Sequence, residues 1–209
     1  MPSEKTSSAN SQLLQCAQAC RILGALFYWP PNNPNVLPIL DALEAGVFSQ
    51  QWALEKTDKT VDAISMMESE LRKPNSKAAL AQEYQHLFIG PENLQAPPWG
   101  SVYLEQEGTL FGETTQALHT FLMSEGIALD TGQEEPEDHI GLMLWEVSLL
   151  AEDLRKDAVK IIVHRHLLTW ANNYLEKLSA ATKNNFYRGL AMLTNEALTS
   201  IENAIEDNA

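Results

Sequence analysis

Basic residues are scarce in this chain. Its 209 residues carry 14 Lys and Arg against 28 Asp and Glu, a formal net charge of -14. Such a surface repels the phosphates of nucleic acids and anionic lipid headgroups, which argues against those partners. It favours cationic partners, arginine-bearing peptides among them. Cysteine is scarcer still: only Cys16 and Cys20 occur. Their spacing puts both on one helical face beside Leu13 and Phe27, so they read as reduced core residues and not as a redox or metal pair. No apolar run approaches the ~18 residues that a membrane span needs. The start, MPSEKTSSANSQ, is polar and lacks the basic-then-apolar order of a secretory signal. The expectation is a cytoplasmic protein whose residues 1–10 are flexible. Phosphate-binding glycine patterns and HExxH are missing as well, so no nucleotide, metal or other cofactor is expected.

What the chain does have is helical periodicity. Apolar residues make up 44% of it, enough for a sizeable core. Leu13, Ala17, Cys20 and Phe27 recur at helical spacing in a first helix over 8–29, which Pro30 and Pro31 stop. Gly24 inside that helix points to a closely approaching neighbour. Further helices are expected over 33–46, from an Asp58 cap to Lys73, over 76–88, and over 113–126. One more starts at Pro136, with Glu137, Asp138 and His139 in its first turn, and is apolar on nearly every side. Two long amphipathic helices follow, over 158–179 and 184–205; in the last, Phe186, Leu190, Leu193, Ala197 and Ile201 form a stripe. Strand-like alternation is absent. The fold class is therefore all-α: a single domain over 1–209, a bundle of about eight to ten helices. It carries an irregular Pro/Gly-rich excursion at 89–112, with a short extended piece at SVYLEQEGTLF, and an acidic connection, IALDTGQEE.

The excursion holds the chemistry. Trp99, Tyr103, Phe88 and Phe111 lie on or beside it. No single helical stripe buries them all, so some are candidates to line a groove. Pro97 and Pro98 stiffen it, and Gly100, Gly108 and Gly112 permit tight turns or close approach. In EEPEDH, Glu137 and Asp138 read either as helix-start caps or as partners for a cation. Asp138 with His139 also reads as the acid–base pair of a small hydrolase, with Ser101 as the one tempting serine. Metal binding finds no ligand closer than Glu146 on that face, and His164 reads as a core histidine.

RILGALFYWP, YQHLFIGP, APPWGSVYLEQEGTLFGETT and EPEDHIGLML resemble the signature segments of the TorD/DmsD family, closest to its dimethyl-sulfoxide-reductase branch. The resemblance runs from about Arg21 through the last helix. It implies an all-helical cytoplasmic chaperone with no catalytic activity. Such a chaperone binds the twin-arginine signal peptide of a molybdenum-cofactor-dependent oxidoreductase and delays Tat export until folding and cofactor insertion. It also implies action mainly as a monomer, with a domain-swapped dimer and contact with Tat translocase components as further options. By position it carries over Tyr28, Leu87, Phe88, Pro98, Trp99, Gly112, Pro136, Asp138 and His139 as peptide-binding candidates. Tyr84 and Tyr103 stand where relatives carry tryptophan and keep an aromatic face; Glu92 and Gln106 depart further. Asp138 and Glu137 would take guanidinium groups, with Glu105 and Glu107 as rim charges. Trp99, Phe88, Leu87 and Tyr103 would take the apolar part. The expected groove has Trp99 on one wall and Asp138 on the other. A chaperone of the same family serving a different molybdoenzyme fits the same residues.

Overall fold

The structure, a computed structural model, describes the backbone of residues 2–90, 93–105 and 112–206, with side chains from residue 8 onward. Helix α1 spans Pro2–Tyr28, so the helix begins earlier than its apolar stripe. Next come α2 (Leu37–Glu44), α3 (Phe48–Gln51), α4 (Asp58–Leu71) and α5 (Ser76–Tyr84), which continues into a π-helical turn, Gln85–Ile89. One-turn α6 (Ser101–Leu104) and α7 (Glu113–Ser124) precede α8 (Ile140–Glu152). Then α9 (Lys156–Ile161) runs into a π-helical segment, Ile162–Leu167, before α10 (Ala171–Ala181) and α11 (Asn185–Glu206). Among the described residues there are eleven α-helices and no strand, and the one β-type pairing is an isolated bridge between Trp99 and His139. No helix among them is long and apolar enough to cross a membrane.

The helix stops follow local chemistry. Pro30 and Pro31 end α1, and Gly126, at φ 68°, takes the left-handed turn after α7. At α4 the cap is Thr57, not Asp58: its side-chain oxygen accepts the Thr60 N–H at 3.1 Å. The expected long helix over 158–179 is two helices, split at the π segment. The split turns Trp170 into the core, where it is 2% exposed. Packing of one large ring thus overrides an unbroken amphipathic pattern. His164 is not a core residue either: it is half-exposed and faces Glu206 at 3.1 Å.

The core forms where α1 lies along α8, and where α4 and α10 lie on α11. Leu13, Cys16, Cys20, Leu23 and Phe27 are the inward face of α1. Burial pushes the Cys16 thiol up to about 11 and the Cys20 thiol well above its ordinary value, so both stay protonated and inert. Helix α8 is buried on nearly every side, and the α11 stripe is buried throughout.

Glycines let α1 and α8 cross closely. A Cβ on Gly24 would stand 2.8 Å from the Gly141 carbonyl oxygen and 2.6 Å from the Trp145 ring. A Cβ on Gly141 would stand 2.9 Å from that of Tyr28. The crossing sets the end of α1, with Tyr28, against the start of α8. Ser148 Oγ and Trp145 Nε1 reinforce it by donating to the carbonyls of Ala17 (2.8 Å) and Arg21 (3.1 Å). Gly24→Ala gains about 1 kcal/mol of helix propensity but collides with backbone that cannot yield. The expected net result is a loss of about 1–2 kcal/mol, read as a lower urea midpoint at unchanged m-value.

Candidate functional site

The segment that carries Pro97 and Pro98 bends at residue 98 and pairs with the residues just before α8. The Ile140 N–H donates to the Pro98 carbonyl at 2.8 Å, and the Gly100 N–H to the Asp138 carbonyl at 3.0 Å. This pairing corrects the expected start of α8. Pro136 is not a first-turn residue. Its carbonyl accepts the His139 N–H at 3.0 Å in a turn over 137–138, His139 is extended, and the helix begins at Ile140. His139 is the N-cap: its Nδ1 accepts the Gly141 N–H at 3.0 Å, which requires a neutral ring protonated on Nε2. Gly100 makes room for protein and not for a ligand, since a Cβ there would stand 2.6 Å from the Trp170 ring.

Trp99 and His139 pair across the bridge and meet ring to ring, whereas Asp138 lines a separate cavity that neither ring lines. On the Trp99 side, the half-buried indole donates to Glu135 Oε1 at 2.5 Å. The His139 ring meets Trp99 edge-on at 6.1 Å and Tyr28 at 5.3 Å. The Tyr28 hydroxyl bonds Thr131 Oγ1 at 2.7 Å and donates to Gln133 at 3.4 Å. Tyr84 donates to the Tyr28 carbonyl at 2.6 Å. Burial raises the Glu135 carboxyl above its ordinary range, and the Asp138 charge adds to this against the Trp99 hydrogen bond. Burial also lowers His139 to about 3.

On the other side, Asp138 Oδ2 accepts the Ser101 N–H at 2.6 Å and the Thr115 hydroxyl at 3.3 Å. Its Oδ1 and Ser101 Oγ have no partner among the described residues. Both residues line a cavity of about 110 Å³, together with Trp170, Met143, Arg165 and His166. Asp138 is 4% exposed. Trp99 and Asp138 therefore do not share one groove, and Asp138 acts first as the brace of the Trp99 loop. The two sides also separate Asp138 from His139, so the pair cannot pass a proton between them as a hydrolase would need.

The remaining candidates divide. Leu87 and Phe88 are core residues, 4% and 5% exposed, with Phe88 packed on Phe27, Tyr84 and Tyr187. Tyr103 lies on the cavity's far side, stacked on Trp170 at 5.6 Å under Lys177. Pro98 and Pro136 are buried and act through their carbonyls. Glu137 is half-exposed and meets His119 at 2.9 Å. Gly112 precedes α7, where a Cβ would strike the Glu105 carboxylate. Glu105 is no free rim charge, since it accepts the Thr114 N–H and hydroxyl, which lower its pKa. Glu92, Gln106, Glu107, Gly108 and Phe111, with most of the expected extended piece, lie outside the described residues. Glu146 is buried on α8, and burial, then the charges of Glu137 and Asp138, hold it neutral. Among the described residues no group of three or more His, Cys, Asp and Glu is placed to hold a metal ion.

Sequence reasoning named the acidic connection but not its working members. Glu135, Thr131 and Gln133 reach Trp99 and Tyr28 through the fold. The only local signal was the acid run ahead of Pro136.

The neutral cap makes stability pH-dependent. The unfolded imidazole binds a proton below about 6.5 and the folded one only below about 3. Its contribution is fully present above 6.5 and declines as pH falls through that window, by up to about 1.4 kcal/mol per pH unit. His139→Asn keeps a capping oxygen without the titration. It is expected to be less stable at neutral pH, with a visibly shallower fall between pH 6.5 and 4 in urea titrations.

The profile of the nitrate reductase delta subunit family matches residues 53–180. The Haemophilus influenzae "Probable Tat proofreading chaperone DmsD" is 41% identical over 178 residues, 85% of each chain. The Salmonella typhimurium Tat proofreading chaperone DmsD is 36% identical over 177 residues, 85% of this chain and 84% of its own. A crystal structure of a candidate redox enzyme maturation protein of Archaeoglobus fulgidus shares the fold, with TM-score 0.57 over 86% of this chain and 93% of its own, at 16% identity. Matches of this extent to named chaperones agree with the segments around Trp99 and His139, and the chain belongs to the TorD/DmsD family of chaperones.

Proposed function

We propose that this chain is a cytoplasmic chaperone for the twin-arginine signal peptide of a molybdenum-cofactor-dependent oxidoreductase, a dimethyl sulfoxide reductase-like catalytic subunit. It holds the leader from Tat export until the enzyme has folded and taken up its cofactor. The observation that carries this reading is the Trp99–Glu135 pair, half-buried and hydrogen-bonded at 2.5 Å. An indole face beside a carboxylate is what a guanidinium prefers, stacking on one and bonding the other. Glu134 and Asp130, both exposed on the same connection, add attraction at longer range. Tyr28 and His139 support Trp99 from behind, and Asp138 supports its loop. The relatives' names point the same way. Action mainly as a monomer, a swapped dimer and contact with translocase components rest on the resemblance alone. A leader that is disordered when free loses entropy on binding, so its affinity is moderate and release is easy.

Calorimetry on the full chain with a synthetic twin-arginine leader and its Lys-Lys counterpart tests this. The arginine form is expected to bind about tenfold tighter, and added salt weakens both without abolishing them. Glu135→Gln should cost about tenfold and bring the two peptides within about threefold. Because the Glu135 carboxyl lies above its ordinary range, affinity should begin to fall at a pH above that range as the group protonates; in Glu135→Gln this dependence should vanish. Equal binding of both peptides to both proteins would remove the reading. The precursor that co-purifies from a native extract assigns the client among molybdoenzymes.

A further inference from the structure

The connection from α7 to α8 is held down at few points. Its ends are fixed: Ile127 is buried with its N–H on the Leu122 carbonyl at 2.9 Å, and Pro136 is buried. Between them, among the described residues, no backbone hydrogen bond joins 128–135 to the rest of the chain. Its own bonds are internal: Glu135 N–H to the Gln133 carbonyl, and Gly132 N–H to Asp130 Oδ1. The turn at Gly132 has φ 70°, and a Cβ there would meet nothing within 4 Å. Two side-chain anchors remain. The Tyr28 hydroxyl meets Thr131 and Gln133, and the Trp99 indole donates to Glu135. A span without backbone ties lies at the low end of local stability.

Those anchors stand at the two ends of one aromatic row. Trp99 meets His139 at 6.1 Å, and His139 meets Tyr28 at 5.3 Å. The span is therefore tied across the row, and His139 and Tyr28 are both buried. It carries Asp130, Glu134 and Glu135, and among the described residues none of the three is in an ion pair. A guanidinium that grips Glu135 through both carboxylate oxygens competes with the Trp99 N–H for Oε1. That releases one anchor and leaves the Tyr28 hydroxyl to hold the other.

Resting on the leader-binding reading, we infer that residues 128–135 are a strap that closes the Trp99–His139–Tyr28 row in the free chain, and that the leader's arginine lifts it by taking Glu135 from Trp99. The Tyr28–Thr131 bond is then a latch that works against binding. A site that is open only part of the time binds with an affinity reduced by that fraction, so loosening the latch strengthens binding.

Thr131→Val and Tyr28→Phe each remove one hydroxyl of the latch and keep the shape of the side chain. A synthetic twin-arginine leader is titrated into the full-length wild type and both variants by calorimetry, with thermal melts to establish that the variants fold. Each variant is expected to bind about fivefold tighter, the worth of one net hydrogen bond. Without peptide, cleavage by a glutamate-specific protease after Glu134 should be several times faster in both variants than in wild type. Leader binding by wild type that is unchanged or weaker in both variants overturns the strap and leaves the leader reading standing. Faster cleavage without tighter binding also overturns it, since the span would then be loose without gating the site. Failure of wild type to bind the leader at all overturns both.

Discussion

Two backbone hydrogen bonds hold the site together: Ile140 N–H to the Pro98 carbonyl, and Gly100 N–H to the Asp138 carbonyl. Each is worth only about 0.5–1.5 kcal/mol net, so the pairing needs support from its surroundings. The two prolines narrow the unfolded chain's choices at residues 97 and 98. Asp138 bonds the next amide, at Ser101, and the Thr115 hydroxyl. Trp170 packs on Gly100 from below. With these in place, Trp99 and His139 pair with one another across the bridge and Asp138 turns to the Ser101 side.

The second constraint is the close crossing of α1 and α8. It brings Tyr28 to the His139 ring and lets His139 serve as both cap and aromatic support. A neutral imidazole suits both tasks and makes a poor general acid. The buried carboxylate, Asp138, keeps its loop in shape; the half-buried one, Glu135, is the group proposed to meet the leader. Burial thus divides labour between two acids three residues apart.

Much of the helical frame was legible from periodicity. The stripes of α1 and α11, the all-round apolarity of α8 and the close approach at Gly24 all follow from residue spacing. The start of α8 was misread because a proline after acidic residues imitates a helix start; a pairing across 40 residues of chain, invisible locally, decides otherwise. The break before Trp170 was hidden for the same reason. Family resemblance pointed to Trp99, Asp138 and His139 but not to the sides on which they stand. Leu87 and Phe88 carry the same chemistry whether they line a groove or fill a core. Glu135 went unnamed because its bond to Trp99 spans 36 residues.

Amide hydrogen exchange at Gly100, Ser101 and Ile140 tests the central constraint most directly. In the free chain these amides should be protected at a level close to the α8 core. In Asp138→Ala, protection at Gly100 and Ser101 should fall by at least about tenfold, while α1 and α11 keep theirs. Exchange at loop rates in the parent chain, or protection indifferent to the loss of Asp138, would contradict a site built on this pairing.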